Sequence, residues 1–253
     1  MRKPGAFWPN ARVTYADLTL ADPNPIKRWL QRRRLVDALA LGARAAPHAR
    51  IILDYGAGDG ALMALARARF PNAALHCFEP TPDLFAQCTA RLGDAAHLHA
   101  REDTLPTRAF DLIFCTEVFE HLPPRETDIA LGAIACALKP EGVALIGVPI
   151  ETGPPALAKG LFRWTRRPAA PDGRWRAILA ATFGAPQDER TLSEIAPGRA
   201  YHPFHIGFDH HAFARALAAR FTIVARRGSP FRFAPAWANS ELHFLAQRLS
   251  PDQ

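Results

Sequence analysis

A glycine-rich stretch, Asp54-Tyr55-Gly56-Ala57-Gly58-Asp59-Gly60, closes a short apolar run. Glycine is needed where a backbone must turn tightly and let a ligand approach closely. The helix expected after Gly60 points its free N–H groups into the same crevice. A second acid, Glu79, ends the next apolar run, nineteen residues beyond Gly60. An acid so placed accepts hydrogen bonds from both hydroxyls of a ribose. Together these features point to a nucleoside-containing ligand; the alternative is a tight strand-to-helix turn with no ligand.

A second constellation is Glu117-x-x-Glu120-His121. On a helical or turn segment these three positions stack on one face. Two carboxylates and an imidazole suit a divalent cation. A further ligand would have to come from elsewhere, and Tyr201-His202-Pro203-Phe204-His205-Ile206-Gly207-Phe208-Asp209-His210-His211 offers several candidates. If no metal binds, His121 and His205 are the candidate general bases, because imidazole titrates near neutrality. His210 and His211 are expected to start a helix, solvated.

The elements that must position these groups alternate. Asn24 and Pro25 cap a helix running through IKRWLQRRRLVDALALGAR, with Arg32-Arg33-Arg34 mostly solvated. Ile26, Trp29 and Leu30 share a face of it, and Leu35 and Leu39 pair further on. Strands are expected at 50–55, 74–78, 95–99, 110–115 and 143–148. Helices are expected at 61–70, 82–92 and near 125–138. Such alternation predicts a parallel sheet with right-handed crossovers. After Pro149 the order breaks. Residues 151–203 are rich in Pro, Gly, Arg and Trp, and read as an insertion or lid. A helix at 210–220 and strands at 221–225 and 241–246 complete the chain. The expected organisation is one domain, 1–253: an N-terminal cap (1–44), a cofactor-binding half (45–150), the insertion (151–203) and the C-terminal strands (204–253).

The 253 residues carry a net charge of +7, with 49% hydrophobic and 22% charged residues, which excludes a disordered chain. The positive balance favours anionic partners, although an Arg-rich, GC-biased composition gives the same signature. The four cysteines form no CxxC pair, and two of them, Cys77 and Cys115, lie in apolar runs that read as buried strands, as suits a reduced cytoplasmic protein. No run is long and apolar enough for a spanning helix, and no apolar run follows the basic N-terminus as in a signal peptide. In the insertion, Leu157, Leu161, Phe162 and Trp164 lie beside Lys159, Arg163, Arg166 and Arg167. That mixture suits lipid head groups, stacked bases and phosphates, or a lid over an acceptor pocket. Phe231, Phe233 and Trp237 are candidates for pocket wall or core.

The spacing GxGxG, with Asp54 two residues ahead of it, differs from the GxGxxG dinucleotide fingerprint. It resembles motif I of the class I S-adenosylmethionine (SAM)-dependent methyltransferases. FDLIFCTEVFEHL (110–122) resembles the family's fourth-strand motif, and LKPEGVALIGVPI (138–150) the segment before and along its fifth strand. The likeness covers roughly residues 50–150. It implies a Rossmann-like α/β fold, a seven-stranded sheet with an N-terminal helical cap and an insertion after strand five. It implies SAM as cofactor, with Gly56, Gly58, Gly60 and Asp54 at the methionine moiety, Glu79 on the ribose, Asp103 at the adenine and Glu117 near the methionine. The ExxEH pattern is similar to metal-using branches, the ubiquinone-biosynthesis O-methyltransferases and the small-RNA 2′-O-methyltransferases. That likeness implies Mg2+ held by Glu117, Glu120, His121 and His205, which best matches the family's downstream histidine, with His202 the second choice. Other relatives carry the motif with no metal role implied. The leading expectation is O-methylation of a small molecule, glycan or lipid-linked metabolite. Metal-assisted RNA 2′-O-methylation, peripheral membrane contact and a non-catalytic SAM-binding protein are the alternatives.

Overall fold

The computed structural model describes residues 24–166, 170–184, 190–196 and 198–249. The expectation for the first 23 residues and for Arg167 lies outside the described residues. In chain order the strands are β1 (Ile51–Tyr55), β2 (Ala74–Phe78), β3 (His97–His99), β4 (Phe110–Thr116), β5 (Leu138–Pro149), β6 (Ser193–Ala196), β7 (Arg199–Tyr201), β8 (Phe221–Ser229) and β9 (Glu241–Arg248). The helices are α1 (Pro25–Ala45), α2 (Ala61–Arg69), α3 (Pro82–Leu92), α4 (Pro124–Ala137), α5 (Pro154–Arg166), α6 (Trp175–Thr182) and α7 (His210–Ala218).

Seven strands form one sheet in the order β3-β2-β1-β4-β5-β9-β8. β1 to β5 run parallel, and β9 returns antiparallel between β5 and β8. Two strand sets diverge at β1 and β4, so the crevice between their carboxyl ends is the expected ligand position. One face packs Ala38, Leu39 and Ala43 of α1 with Leu62, Met63 and Ala66 of α2 and Cys88 and Leu92 of α3. The other packs Ala130, Leu131 and Ile134 of α4 with Phe213, Ala214 and Leu217 of α7. The strands read as near-continuous apolar runs because both faces are covered.

Several boundaries move. β5 begins at Leu138, because Phe110 pairs with Leu138 before a register shift brings Leu112 to Val143. β8 and β9 extend each other to Ser229 and Arg248. The insertion is not irregular: it holds the packed helices α5 and α6 and the β6–β7 hairpin. Asn24 caps α1 as expected, its Oδ1 accepting from the N–H groups of Ile26 (2.9 Å) and Lys27 (3.2 Å). Arg34, however, is turned inward. Cys77, Cys88 and Cys115 are buried, but Cys136 is exposed. His211 starts α7 exposed, whereas His210 is buried. The 21-residue α1 lies against the sheet through Gly42, where a Cβ would stand 2.6 Å from Phe114 Cζ.

Gly42→Ala should therefore lower stability by about 1–3 kcal/mol through overpacking, despite alanine's higher helix propensity. Urea unfolding checks this; an unchanged midpoint would mean that α1 is not seated on Phe114.

Candidate active site

The glycine loop leaves β1 with Gly56, Gly58 and Gly60 all at positive φ. At Gly58 a Cβ would meet nothing within 4 Å, so the backbone there faces open space. At Gly56 it would stand 2.4 Å from Val118, so the loop also packs on the segment after β4. Glu79 is buried, accepting from Gly58 N–H at 2.9 Å and from Thr81 N–H at 2.8 Å. The Thr81 side chain adds a further hydrogen bond to this carboxylate. Burial raises the Glu79 carboxyl above its ordinary value. Asp54 is buried beside it; burial, then Glu79 and Asp59, push its carboxyl up to about 8. Asp59 is ion-paired with Arg91 at 2.9 Å.

Three acids around one glycine loop favour a cationic ligand. A nucleotide's pyrophosphate would instead add two negative charges beside Asp54 and Glu79. S-Adenosylmethionine, a nucleoside with a sulfonium and an ammonium, suits this charge: it would approach the open backbone at Gly58, offer its ribose hydroxyls to Glu79 and set a positive charge beside Asp54.

Asp103 does not turn inward. It is exposed and paired with Arg101 at 2.5 Å. The 3-10 turn Glu102–Thr104 sends the neighbouring Glu102 inward instead, where it accepts from the Tyr55 hydroxyl and pairs with Arg199 of β7 at 3.1 Å. The insertion is thereby latched to the cofactor side of the sheet.

Beyond β4, Glu117 has φ 59°, a conformation that few non-glycine residues adopt. Its carboxylate meets Arg34 of α1 at 2.5 Å. Burial opposes its ionised form, but Arg34 foremost, with His205, holds it down at about 2. The left-handed step breaks the expected shared face. Glu117 points to α1, whereas the turn Phe119–His121 carries Glu120 and His121 towards the insertion.

Glu120 has no exposed surface, and neither of its carboxylate oxygens has a hydrogen-bond partner among the described residues. Burial, then Glu117, raises its carboxyl well above the usual range. Its Oε1 is 3.9 Å from His121 Nε2, and His121 Nε2 is 3.1 Å from His205 Nε2. The ligand atoms of Glu120, His121 and His205 lie within 4.8 Å of one another. Three of the four expected metal-binding residues thus come together, without Glu117. One carboxylate and two imidazoles fit a transition metal better than Mg2+, which prefers oxygen donors.

His202, the second choice, serves as scaffold: its carbonyl accepts from His121 Nδ1 at 2.7 Å, and its N–H donates to His121 O at 2.7 Å. Tyr201 stacks on His121 with ring centroids 4.5 Å apart.

A cavity of about 1000 Å3 opens beside these groups. Its walls include Ile26, Trp29 and Leu30 of α1, Phe162 of α5, and Phe231 and Trp237; Glu117, Glu151, His205 and Glu241 give it a polar floor. Ile26, Trp29, Phe162, Phe231 and Trp237 of the wall remain open to solvent, as do Leu161, Trp164 and Phe233 outside it. Glu151, buried after β5, is clamped by Lys159 (3.1 Å) and Arg163 (2.8 Å), which hold its carboxyl well below the usual range despite burial. Glu241, opposite Pro149 in the β5–β9 ladder, is raised by burial and then by Glu117. Arg34, Glu102, Glu151, Arg199 and Glu241 were not singled out from the sequence. An acid at the carboxyl end of a strand was a usable signal for Glu151; long-range pairing hides the others.

A methyltransferase domain model matches residues 53–144. The chain is 32% identical over 186 residues to a trans-aconitate 2-methyltransferase of Methylobacterium radiotolerans, covering 72% of this chain and 67% of that protein. It is 32% identical over 219 residues to the protein of the same name from Methylobacterium nodulans, covering 85% and 81%. In fold it is similar to the Burkholderia thailandensis 1,6-didemethyltoxoflavin-N1-methyltransferase solved with S-adenosylhomocysteine, with a TM-score of 0.53, 19% identity and coverage of 85% and 78%.

Glu79→Ala should weaken SAM binding about 10- to 100-fold, since hydrogen bonds to a charged group are each worth about 1.5–3 kcal/mol. Calorimetric titration measures it. Parent-like affinity in a folded variant would remove Glu79 from the cofactor site.

Proposed function

The chain belongs to the class I SAM-dependent methyltransferases, and we propose that it methylates an oxygen of a small, partly apolar molecule seated in the cavity between α1, α5 and Trp237. One observation carries this reading: His205 lines an aromatic-walled cavity whose floor carries three carboxylates, Glu117, Glu151 and Glu241. The relatives are named for trans-aconitate, a tricarboxylate. Here Arg34 is paired with Glu117, and Lys159 and Arg163 with Glu151. Lys27 and Arg166 line the same cavity beside Arg34, Lys159 and Arg163, so a carboxylate on the acceptor has cations to meet, while the aromatic walls suit an apolar body.

Bound SAM supplies an electrophilic methyl group on sulfur. The chain must align the acceptor oxygen with it, exclude water and accept a proton. The hydrogen bonds define which nitrogen does so. His121 Nδ1 faces a carbonyl, so it carries the hydrogen and leaves Nε2 as acceptor. His205 Nε2 then donates to it, and His205 Nδ1 keeps the lone pair. Burial first, then His121, pushes His205 down to about 3, so its ring is neutral at physiological pH. Glu151, 3.9 Å from Nδ1, stabilises the ring once it takes the hydroxyl proton.

A second reading rests on Glu120. Its unpartnered oxygens and the two Nε2 atoms would hold a divalent cation that favours the alkoxide form of the acceptor. In that reading both Nε2 atoms turn lone pairs to the ion. Without an ion, Glu120 is a protonated carboxyl.

Methyl transfer from labelled SAM to extracted metabolites should fall about 10²–10⁴-fold in His205→Ala, the usual contribution of a general base, with SAM affinity kept. Glu120→Gln separates the readings, because an amide copies a protonated carboxyl but is a poor metal ligand. Retained activity, indifferent to chelator, supports the base. Loss of activity, matched by chelation of the parent and rescue with Mn2+ or Zn2+, supports the ion. Full activity in His205→Ala would overturn the acid–base reading.

A further inference from the structure

A second, smaller recess of about 200 Å3 lies at the β8 edge of the sheet, outside the acceptor cavity. In the β8–β9 ladder Arg226 stands opposite Phe244, and Gly228 opposite Leu242. Directly opposed residues share a face of the sheet. Arg226 is therefore on the face that α7 covers, beside the core residues Leu242 and Phe244. α7 begins only at His210, and its first turn and the β8–β9 connection close the recess without filling it.

The polar lining is basic throughout. His210, His211, Arg226 and Arg232 surround a floor of Leu242 and Phe244, and among the described residues no acid lines the recess. The guanidinium groups rest on rings: Arg226 is 5.6 Å from the Phe244 centroid, and Arg232 is 4.5 Å from that of Phe233. Stacking leaves the N–H edges of a guanidinium to meet a carboxylate or phosphate. Among the described residues no carboxylate ion-pairs with either arginine. The acid beside the two histidines, Asp209, caps α7 instead, its Oδ1 accepting from His211 N at 2.8 Å. His210 is buried, with its Nδ1 3.4 Å from the Thr152 hydroxyl and its ring centroid 4.0 Å from that of His211. Burial, then His211, pushes its imidazole down to about 4. Charge of one sign around a concave apolar floor focuses the field inside it, and the ligand that such a field draws is an anion.

We propose that this recess binds a small oxyanion, a phosphate or carboxylate group on a short body, through Arg226, Arg232 and the two histidines. Guanidinium forks match both groups bidentately. The volume lies below the range of about 300–1,000 Å3 for drug-sized ligands, so the anion is small. The recess and the acceptor cavity share a wall. Arg232, Ala234 and Ala236 of the β8–β9 connection face the recess, whereas Phe231 and Trp237 of the same connection face the cavity. Asn239 holds that connection together, its side chain bonding Phe231 N and the carbonyls of Phe231 and Pro235. An anion that fixes Arg232 therefore also steadies the aromatic wall of the cavity. The binding itself is independent of the acceptor reading; the consequence for acceptor selection rests on it.

The test is calorimetric titration of inorganic phosphate, and separately of benzoate, into the full-length protein at fixed ionic strength. One anion per chain should bind. Arg226→Gln and Arg232→Gln, both at exposed positions, should each weaken binding about tenfold or more, as loss of a charge-assisted hydrogen bond does. Arg67→Gln, exposed on α2 across the sheet, should leave it unchanged. Tighter binding of phosphate identifies a phosphoryl group as the ligand, and tighter binding of benzoate a carboxylate on an apolar body. Backbone hydrogen exchange over residues 230–240 should slow when the anion binds the parent, but not in Arg232→Gln. No saturable binding, or equal weakening by Arg67→Gln, overturns the site. Binding with unchanged exchange over 230–240 overturns its link to the acceptor wall.

Discussion

A carboxylate removed from water must find a cation, a proton or several N–H donors, because an isolated buried charge is too costly to keep. Six such groups, Asp54, Glu79, Glu117, Glu120, Glu151 and Glu241, stand buried at or near the carboxyl ends of the strands. The way each is satisfied organises the periphery of the molecule. Glu151 requires Lys159 and Arg163, which fixes α5 over the end of β5. Glu117 requires Arg34, which turns one face of α1 to the crevice. Glu79 is met by backbone N–H groups of the glycine loop and of the turn before α3. Asp54 and Glu120 are left raised by burial. Glu79 and Glu241 are raised as well, whereas the ion-paired Glu117 and Glu151 stay ionised and tie α1 and α5 to the sheet.

That division also explains what the sequence disclosed. The alternating core from Ile51 to Pro149 was legible because β1, β2, β4 and β5 are apolar runs closed by Gly, Pro or an acid, whereas the three-residue β3, His97–His99, carries a weak signal. Glu79 and the three glycines were legible because their roles depend on local backbone geometry. Arg34 was not: within Arg32-Arg33-Arg34 nothing local distinguishes the one that ion-pairs across the fold to a residue 83 positions later. Glu117 was misplaced for a related reason. Helical spacing put it beside Glu120 and His121, but its left-handed backbone rotates it away, and the pull of Arg34 is a tertiary effect. Asp103 and Glu102 differ by one position in a 3-10 turn, too fine a register for pattern reading. His210 is buried because α7 docks on the sheet, which a dipeptide of histidines does not announce.

The insertion illustrates how one segment serves several positions at once. Its α5 supplies cations to Glu151 and Phe162 to the cavity wall. Its hairpin supplies Arg199 to Glu102, and the chain after it returns His202 and His205 against His121. Arg190 adds a third tie, donating to the carbonyls of Glu120 (2.5 Å) and Phe204 (2.8 Å). Composition suggested a loose lid, because Pro, Gly and Arg interrupt any apolar periodicity. Its order comes from buried polar contacts with the sheet rather than from an apolar core of its own, since the cluster formed there is small: Ala156, Ala181 and Ile206.

Selectivity for the acceptor then follows from which surfaces vary independently. The cofactor loop is bound to the sheet through Glu79 and Val118, so changes there disturb the fold. The cavity walls are side chains of α1, α5 and the segment before β9, each anchored elsewhere: α1 by Gly42 against Phe114, α5 by Glu151, the last by Asn239, whose side chain bonds Phe231 N and O. Trp29, Phe162, Phe231 and Trp237 can therefore change without disturbing those anchors. An aromatic-to-alanine change in the wall should raise the acceptor KM and leave SAM affinity untouched, whereas loss of the Arg34–Glu117 pair alters wall and cofactor side together. The same fold can consequently accommodate different acceptors, because the walls are carried on elements whose anchors lie outside the cofactor loop.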